Sequence, residues 1–306
     1  MGNGRWDAAD WQGYASAHTQ GKSTAQIFTS RDIKDAYDPT KIARRESRNG
    51  PDNPRATPII LASDVTGSMG MIATTLMQDG LNTLVKEIYD RKPVTDPHVL
   101  VAAVGDAQCD RAPLQVTQFE ADIRLADQVR DLWVEGNGGG NGGETYSSAH
   151  LFAALKTETD AAAEGRKGYL FTIGDEPNHD GLTRSEIKRT LGLEVERDLS
   201  AAECLAMAER HWHVFHILLV NEGVCRHSRA SVMAGWKNLM PERTIPLEDV
   251  KALAETVVSL IQVTEGARPA DVAASWSGST ALTVANALKG VPAVAGGSRG
   301  LRRISA

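Results

Sequence analysis

Cysteine is scarce in this chain, with three residues, Cys109, Cys204 and Cys225, among 306. An odd, sparse set argues against a disulfide scaffold and for a reducing compartment. No apolar stretch approaches the roughly 20 residues a membrane-spanning helix requires. The opening Met1-Gly-Asn-Gly-Arg-Trp-Asp7 lacks the apolar core of a signal peptide. Met1-Gly2 begins like a myristoylation site, but position 6 is Trp where Ser or Thr is needed. These absences lead us to expect a soluble, cytoplasmic protein. Basic excess is lacking too. The net charge is −6, and the Arg-rich segments at Arg44, Arg45 and Arg48 and from Arg299 to Arg303 are short. Neither nucleic acid nor a membrane surface is an expected partner. There is no internal repeat.

The composition is that of a globular domain, 42% hydrophobic and 24% charged. Residues 1–56 are polar and turn-rich, with Trp6, Trp11, Tyr14, Ile27 and Phe28 spaced through them, the pattern of an arm that packs onto a domain. From Pro58 the chain alternates between strand and helix. Strands are expected at Ile59–Ser63, Val99–Val104, Leu114–Phe119, Tyr169–Ile173, His213–Val220 and around Thr244-Ile245. Ile72, Leu76, Leu81, Leu84, Val85 and Ile88 mark one helix face. Further helices are expected near residues 123–133, 147–157, 200–209, 228–239 and 247–263. Continuous apolar strands separated by helices imply a three-layer α/β sandwich, with a mostly parallel, doubly wound sheet covered on both faces. The domain is expected over 57–266. A tail over 267–306 is expected to be partly helical near 281–288 and disordered from Pro292.

In such sheets ligands bind beyond the C-terminal strand ends. Asp64, Asp106 and Asp175 each follow an expected strand. Asp64-Val-Thr66-Gly-Ser68 places one carboxylate and two hydroxyls at spacing i, i+2, i+4 on a tight turn. Oxygen donors without thiol or imidazole suit a hard cation such as Mg²⁺. A glycine run, Gly136–Gly143, leads into Glu144-Thr145 and a helix, and reads as a mobile loop over a site.

This turn resembles the metal-ion-dependent adhesion site of von Willebrand factor type A domains, whose first motif is Asp-x-Ser-x-Ser, with Thr66 here in place of the first Ser. Thr145 stands where that family has a Thr on its second loop. Asp175 stands where it has a third-loop Asp, although Thr172-Ile-Gly-Asp175 departs from the usual Thr-Asp-Gly. The resemblance covers roughly residues 57–265, and the arm is similar to stand-alone bacterial and phage members. It implies a Mg²⁺, Mn²⁺ or Ca²⁺ ion held by Asp64, Thr66, Ser68, Thr145 and Asp175. It also implies a partner protein whose carboxylate completes the shell, no catalysis, and association with a MoxR-type AAA+ ATPase.

Rival readings rest on fewer residues. Asp64 followed by Gly174-Asp175-Glu-Pro-Asn-His-Asp180 is similar to haloacid-dehalogenase-like Mg²⁺-dependent phosphohydrolases, with Asp64 as nucleophile. Thr66 then occupies the place of their second Asp. Cys204, His211, His213, His216, Cys225 and His227 are dense in zinc-type ligands but match no knuckle spacing. Gly21-Lys22-Ser23 lacks the upstream Gly and strand of a phosphate-binding loop. No Gly-x-Ser-x-Gly elbow is present. Singly, Asp64, Ser68 and Thr145 also read as helix caps and Asp175 as a turn residue.

Overall fold

The computed structural model describes residues 4–65, 70–75, 80–135 and 142–292. Thr66, Ser68, Leu76, residues 136–141 of the glycine run and the tail from 293 onward lie outside the described residues. Six strands form the central sheet: β1 (Thr57–Asp64), β2 (Pro97–Val104), β3 (Leu114–Val116), β4 (Gly168–Gly174), β5 (Trp212–Leu219) and β6 (Thr244–Leu247). Their order is β6-β5-β4-β1-β2-β3. All neighbours are parallel except β3, which runs antiparallel at the edge. The order reverses between β1 and β4, the place where doubly wound sheets open a crevice.

Alternation along the strands builds two cores. Ile59, Leu61, Phe171 and Ile217 face one apolar cluster, whereas Ile60, Ala62, Leu170 and Leu218 face the other. The first is covered by helices α1 (Leu81–Arg91) and α5 (Leu253–Thr264); the second by α2 (Ser147–Leu155), α3 (Ala201–Ala208) and α4 (Gly223–Leu239). A sheet covered on both faces in this way is a three-layer α/β sandwich. Past residue 266, Val272, Val284, Ala287 and Leu288 remain buried in the first cluster. Among the described residues no helix is long and apolar enough to cross a membrane.

Local chemistry sets several boundaries. Leu247, expected to open a helix, pairs with Leu219 in the sheet, and α5 begins only at Leu253. Asp249 intervenes: its carboxylate accepts from Lys251 N at 3.0 Å and starts a single 3₁₀ turn. The helix Arg184–Leu191 was not expected from apolar spacing. It carries a reciprocal Thr183/Glu186 capping box and ends at Gly192 with φ 67°, a cap pair legible in Thr183-Arg-Ser-Glu186.

The arm is tied down by apolar and polar contacts. Trp11, Ile27, Phe28 and Tyr37 are buried in the first cluster, and Arg45–Ser47 pairs in parallel with Thr157–Thr159. Lys156, itself buried, donates to the carbonyls of Pro39 and Ile42, the latter at 2.6 Å. Lys156→Ala would strand two carbonyls in a dry environment. We expect a loss of about 3 kcal/mol and faster cleavage of the arm in limited proteolysis. Unchanged proteolysis would show that the arm is held without the two Lys156 bonds.

Candidate functional site

Asp64 is the last residue of β1, Asp106 lies two residues past β2, and Asp175 directly follows β4. All three are buried. The approach of β4 to β1 depends on Gly174. A Cβ there would lie 1.9 Å from the Tyr146 hydroxyl and 3.1 Å from Asp64 Cβ. The Tyr146 hydroxyl fills that space and donates to Asp64 Oδ2 at 3.4 Å.

The segment after the glycine run is pinned against the loop that follows β4. Glu144 N donates to the Pro177 carbonyl at 2.9 Å, and His179 N returns a bond to the Glu144 carbonyl at 3.1 Å. Gly143 permits this contact, because a Cβ would sit 3.1 Å from the His179 ring and 3.2 Å from the Pro177 oxygen. Asn178 clamps the start of α2: its Oδ1 accepts from Ser147 N at 3.1 Å, and its Nδ2 donates to Ser147 Oγ at 2.9 Å. These bonds bring Thr145 over the strand ends.

Thr145 Oγ1 donates to Asp106 Oδ1 at 3.0 Å and accepts from Ala107 N at 2.9 Å. A hydroxyl has one proton and two lone pairs, so one lone pair remains for another ligand. Asp106 also receives the His179 ring, with Nε2 3.2 Å from Oδ1, and this carboxylate raises the histidine's pKa. Asp110 Oδ2 accepts from Asp106 N at 2.7 Å and fixes that loop. Asp175 Oδ2 accepts from Val224 N at the start of α4.

The electrostatics are dominated by acid. Burial pushes the Asp175 carboxyl above its ordinary value, and its backbone hydrogen bonds only partly offset this. Glu176 is raised by burial and then by Asp175 and Asp106. Burial, followed by Asp64, Glu144, Asp175 and Glu176, pushes the Tyr146 hydroxyl well above its ordinary value, so it stays a proton donor. Fixed positive charge comes from Arg189, whose guanidinium donates to the Ala107 carbonyl. Buried carboxylates in this excess are costly unless a cation compensates them. The donors are hard oxygens, and their chemistry fits a hard divalent ion better than zinc.

Asp64, Thr145 and Asp175 thus come to one edge of the sheet, while Thr66 and Ser68 lie outside the described residues. Glu144 is buried. Asp180, the final acid of the phosphohydrolase-like motif, is exposed. The zinc-type residues are scattered: Cys204, His216 and Cys225 are buried, and His211 and His227 exposed. Among the described residues, no three His, Cys, Asp or Glu side chains group as a metal-binding set; the candidate centre combines two carboxylates with hydroxyls. Sequence reasoning did not identify Tyr146, Asn178 or His179. The adjacency of Tyr146 to Thr145, and of Asn178 and His179 to Asp175, was the available signal.

No known family model and no curated protein matches this chain. Two crystal structures of the pilus adhesin SpaC from Lactobacillus rhamnosus GG, one in an open conformation, are similar to it over 72% and 71% of its length. Identity is 11% in both, with TM-scores of 0.45 and 0.47. The chain spans 31% of the adhesin chain in each case. The fold assignment rests on the strand order and registers above.

Proposed function

We propose that this protein is a divalent-cation-dependent protein-binding module and not an enzyme. Mg²⁺, or Mn²⁺ or Ca²⁺, is held by Asp64, Thr66, Ser68, Thr145 and Asp175, and a carboxylate from a partner completes the shell. The observation that supports this reading is that Asp64 and Asp175 end adjacent strands at the reversal of strand order, while Tyr146, the neighbour of Thr145, donates to Asp64. A divalent ion balanced by only two carboxylates retains strong affinity for one more anion. Asp106 accepts the hydrogen bond of the Thr145 hydroxyl, which leaves an oxygen lone pair for the ion. Tyr146 holds Asp64 through its hydroxyl. The partner that the sequence resemblance implies is a MoxR-type AAA+ ATPase.

Calorimetric titration with Mn²⁺ tests the ion site. We expect saturable binding, about tenfold weaker or worse in Asp64→Asn and in Asp175→Asn, and unchanged in Asp180→Asn. Equal affinity in Asp64→Asn would remove the ion from this edge. Mg²⁺-dependent hydrolysis of a general phosphate ester that disappears in Asp64→Asn would instead establish a phosphohydrolase.

A further inference from the structure

The N-terminal edge of the sheet, opposite the carboxylates, carries a cavity of about 410 Å³. That volume is within the range of small-molecule sites. Its floor is formed by the starts of three strands, at Thr57, Tyr169 and His213, and its rim by residues 92–95 and 166–167. We propose that this cavity binds a small, multiply charged anion of the phosphate class.

The charge balance points this way. Four cationic side chains line the cavity, Arg55, Lys92, Arg166 and Lys167, against one acid, Glu265. Arg166 is matched by Glu164 at 2.7 Å. Lys167 Nζ donates to the Glu209 backbone carbonyl at 2.6 Å, which leaves its charge unneutralised. The side chains of Arg55 and Lys92 make no hydrogen bond or ion pair among the described residues. Glu265 is engaged by the Tyr169 hydroxyl. Three cations without an acidic partner and one carboxylate, Glu265, therefore leave the cavity with a net excess of about two positive charges, which suits a multiply charged anion better than a single carboxylate.

The rim is also held in place. Lys92 sits in the left-handed region at φ 51°, ψ 44°, with its N–H bonded to the Ile88 carbonyl. Asp96, at φ 44°, accepts from Arg55 N through its side chain and from Thr57 N through its carbonyl, both at 2.9 Å. Two non-glycine residues at positive φ in one short loop cost energy and persist only where surrounding contacts enforce them. His213 is pushed down to about 4 by burial and by the positive fields of Lys167 and Arg243. At neutral pH it is an uncharged ring that can donate one hydrogen bond to a phosphoryl oxygen.

Titration calorimetry with pyrophosphate, in EDTA so that the carboxylate edge carries no cation, tests the site. ADP and sulfate serve as comparison ligands. One-to-one binding of pyrophosphate is expected, with sulfate at least about tenfold weaker. ADP binding as tightly as pyrophosphate would identify a nucleotide as the source of the phosphates; weaker ADP binding would identify a free phosphate. Lys92→Ala and Lys167→Ala should each weaken pyrophosphate by about fivefold or more, with the native circular dichroism spectrum retained, and Lys289→Ala should not weaken it. No saturable heat, sulfate equal to pyrophosphate, or full affinity in both lysine variants would overturn the proposal.

Discussion

Gly174→Ala is expected to lower the melting temperature by about 5 °C. The added methyl would fall 1.9 Å from the Tyr146 hydroxyl, and 2.8 Å from the ring carbon that bears it. Neither atom can retreat easily, because Tyr146 is fully buried against the rings of His216 and Trp236, at centroid distances of 5.1 and 5.3 Å. Overpacking of this kind costs about 3 kcal/mol, and in a chain of this size each kcal/mol moves the midpoint by roughly 1.5 °C. Tyr146→Phe removes the nearer obstacle. The double variant should therefore recover part of the loss, and the remaining ring contact should keep recovery incomplete. Circular dichroism melts of the four proteins measure this coupling. If Gly174→Ala melts like the parent chain, β4 does not end as closely against Tyr146 and Asp64 as described.

Acid should destabilise the protein between about pH 6.5 and pH 4, through histidines packed beneath the candidate site. His150 is fully buried, neither ring nitrogen has a hydrogen-bond partner among the described residues, and burial pushes its pKa down to about 4. His216 is pushed well below its ordinary value by burial and by His150. Its ring stacks on Trp236, and its Nδ1 lies 2.9 Å from Thr172 Oγ1. In this window the unfolded chain binds protons that the native chain excludes, so stability present at neutral pH is lost as pH falls. His150 alone contributes roughly 3 kcal/mol across the window.

Asp175 and Glu176 act in the opposite sense. Their raised folded pKa values favour the native state at low pH, and that advantage is lost as pH rises through those values. A bound cation would hold both carboxylates ionised and cancel this opposing contribution. Denaturant titrations at a series of pH values should therefore show a gain from Mg²⁺ at pH 7 that vanishes near pH 4. His150→Phe should flatten the acid limb. An acid limb unchanged in His150→Phe would assign the pH dependence to other groups.

The central strands were legible because they are buried on both faces. Ile59–Ser63, Val99–Val104, Tyr169–Ile173 and His213–Val220 are continuous apolar runs, and each lies within two residues of the observed strand. The acids were legible from position, since Asp64, Asp106 and Asp175 stand at the ends of those runs. Boundaries governed by a single polar group were harder. Leu247 reads equally as the last residue of a strand or the first of a helix, and the Asp249 cap decides between them. The cross-loop bonds were not legible. Nothing in the spacing of residues 106 and 145 indicates that the Thr145 hydroxyl meets Asp106, or that Tyr146 rather than a loop residue holds Asp64. Those contacts arise only when the loops after β2 and β4 fold against the start of α2.

The proposed ion lies at the C-terminal edge of β1 and β4. Crystals grown or soaked with Mn²⁺ and measured for anomalous scattering address it directly. The predicted result is one anomalous peak within about 2.5 Å of an oxygen of Asp64, Thr145 or Asp175, lost in crystals of Asp64→Asn. A Mn²⁺ peak confined to the histidines or to the N-terminal edge, or no peak beside Asp64 at saturating Mn²⁺, would contradict it.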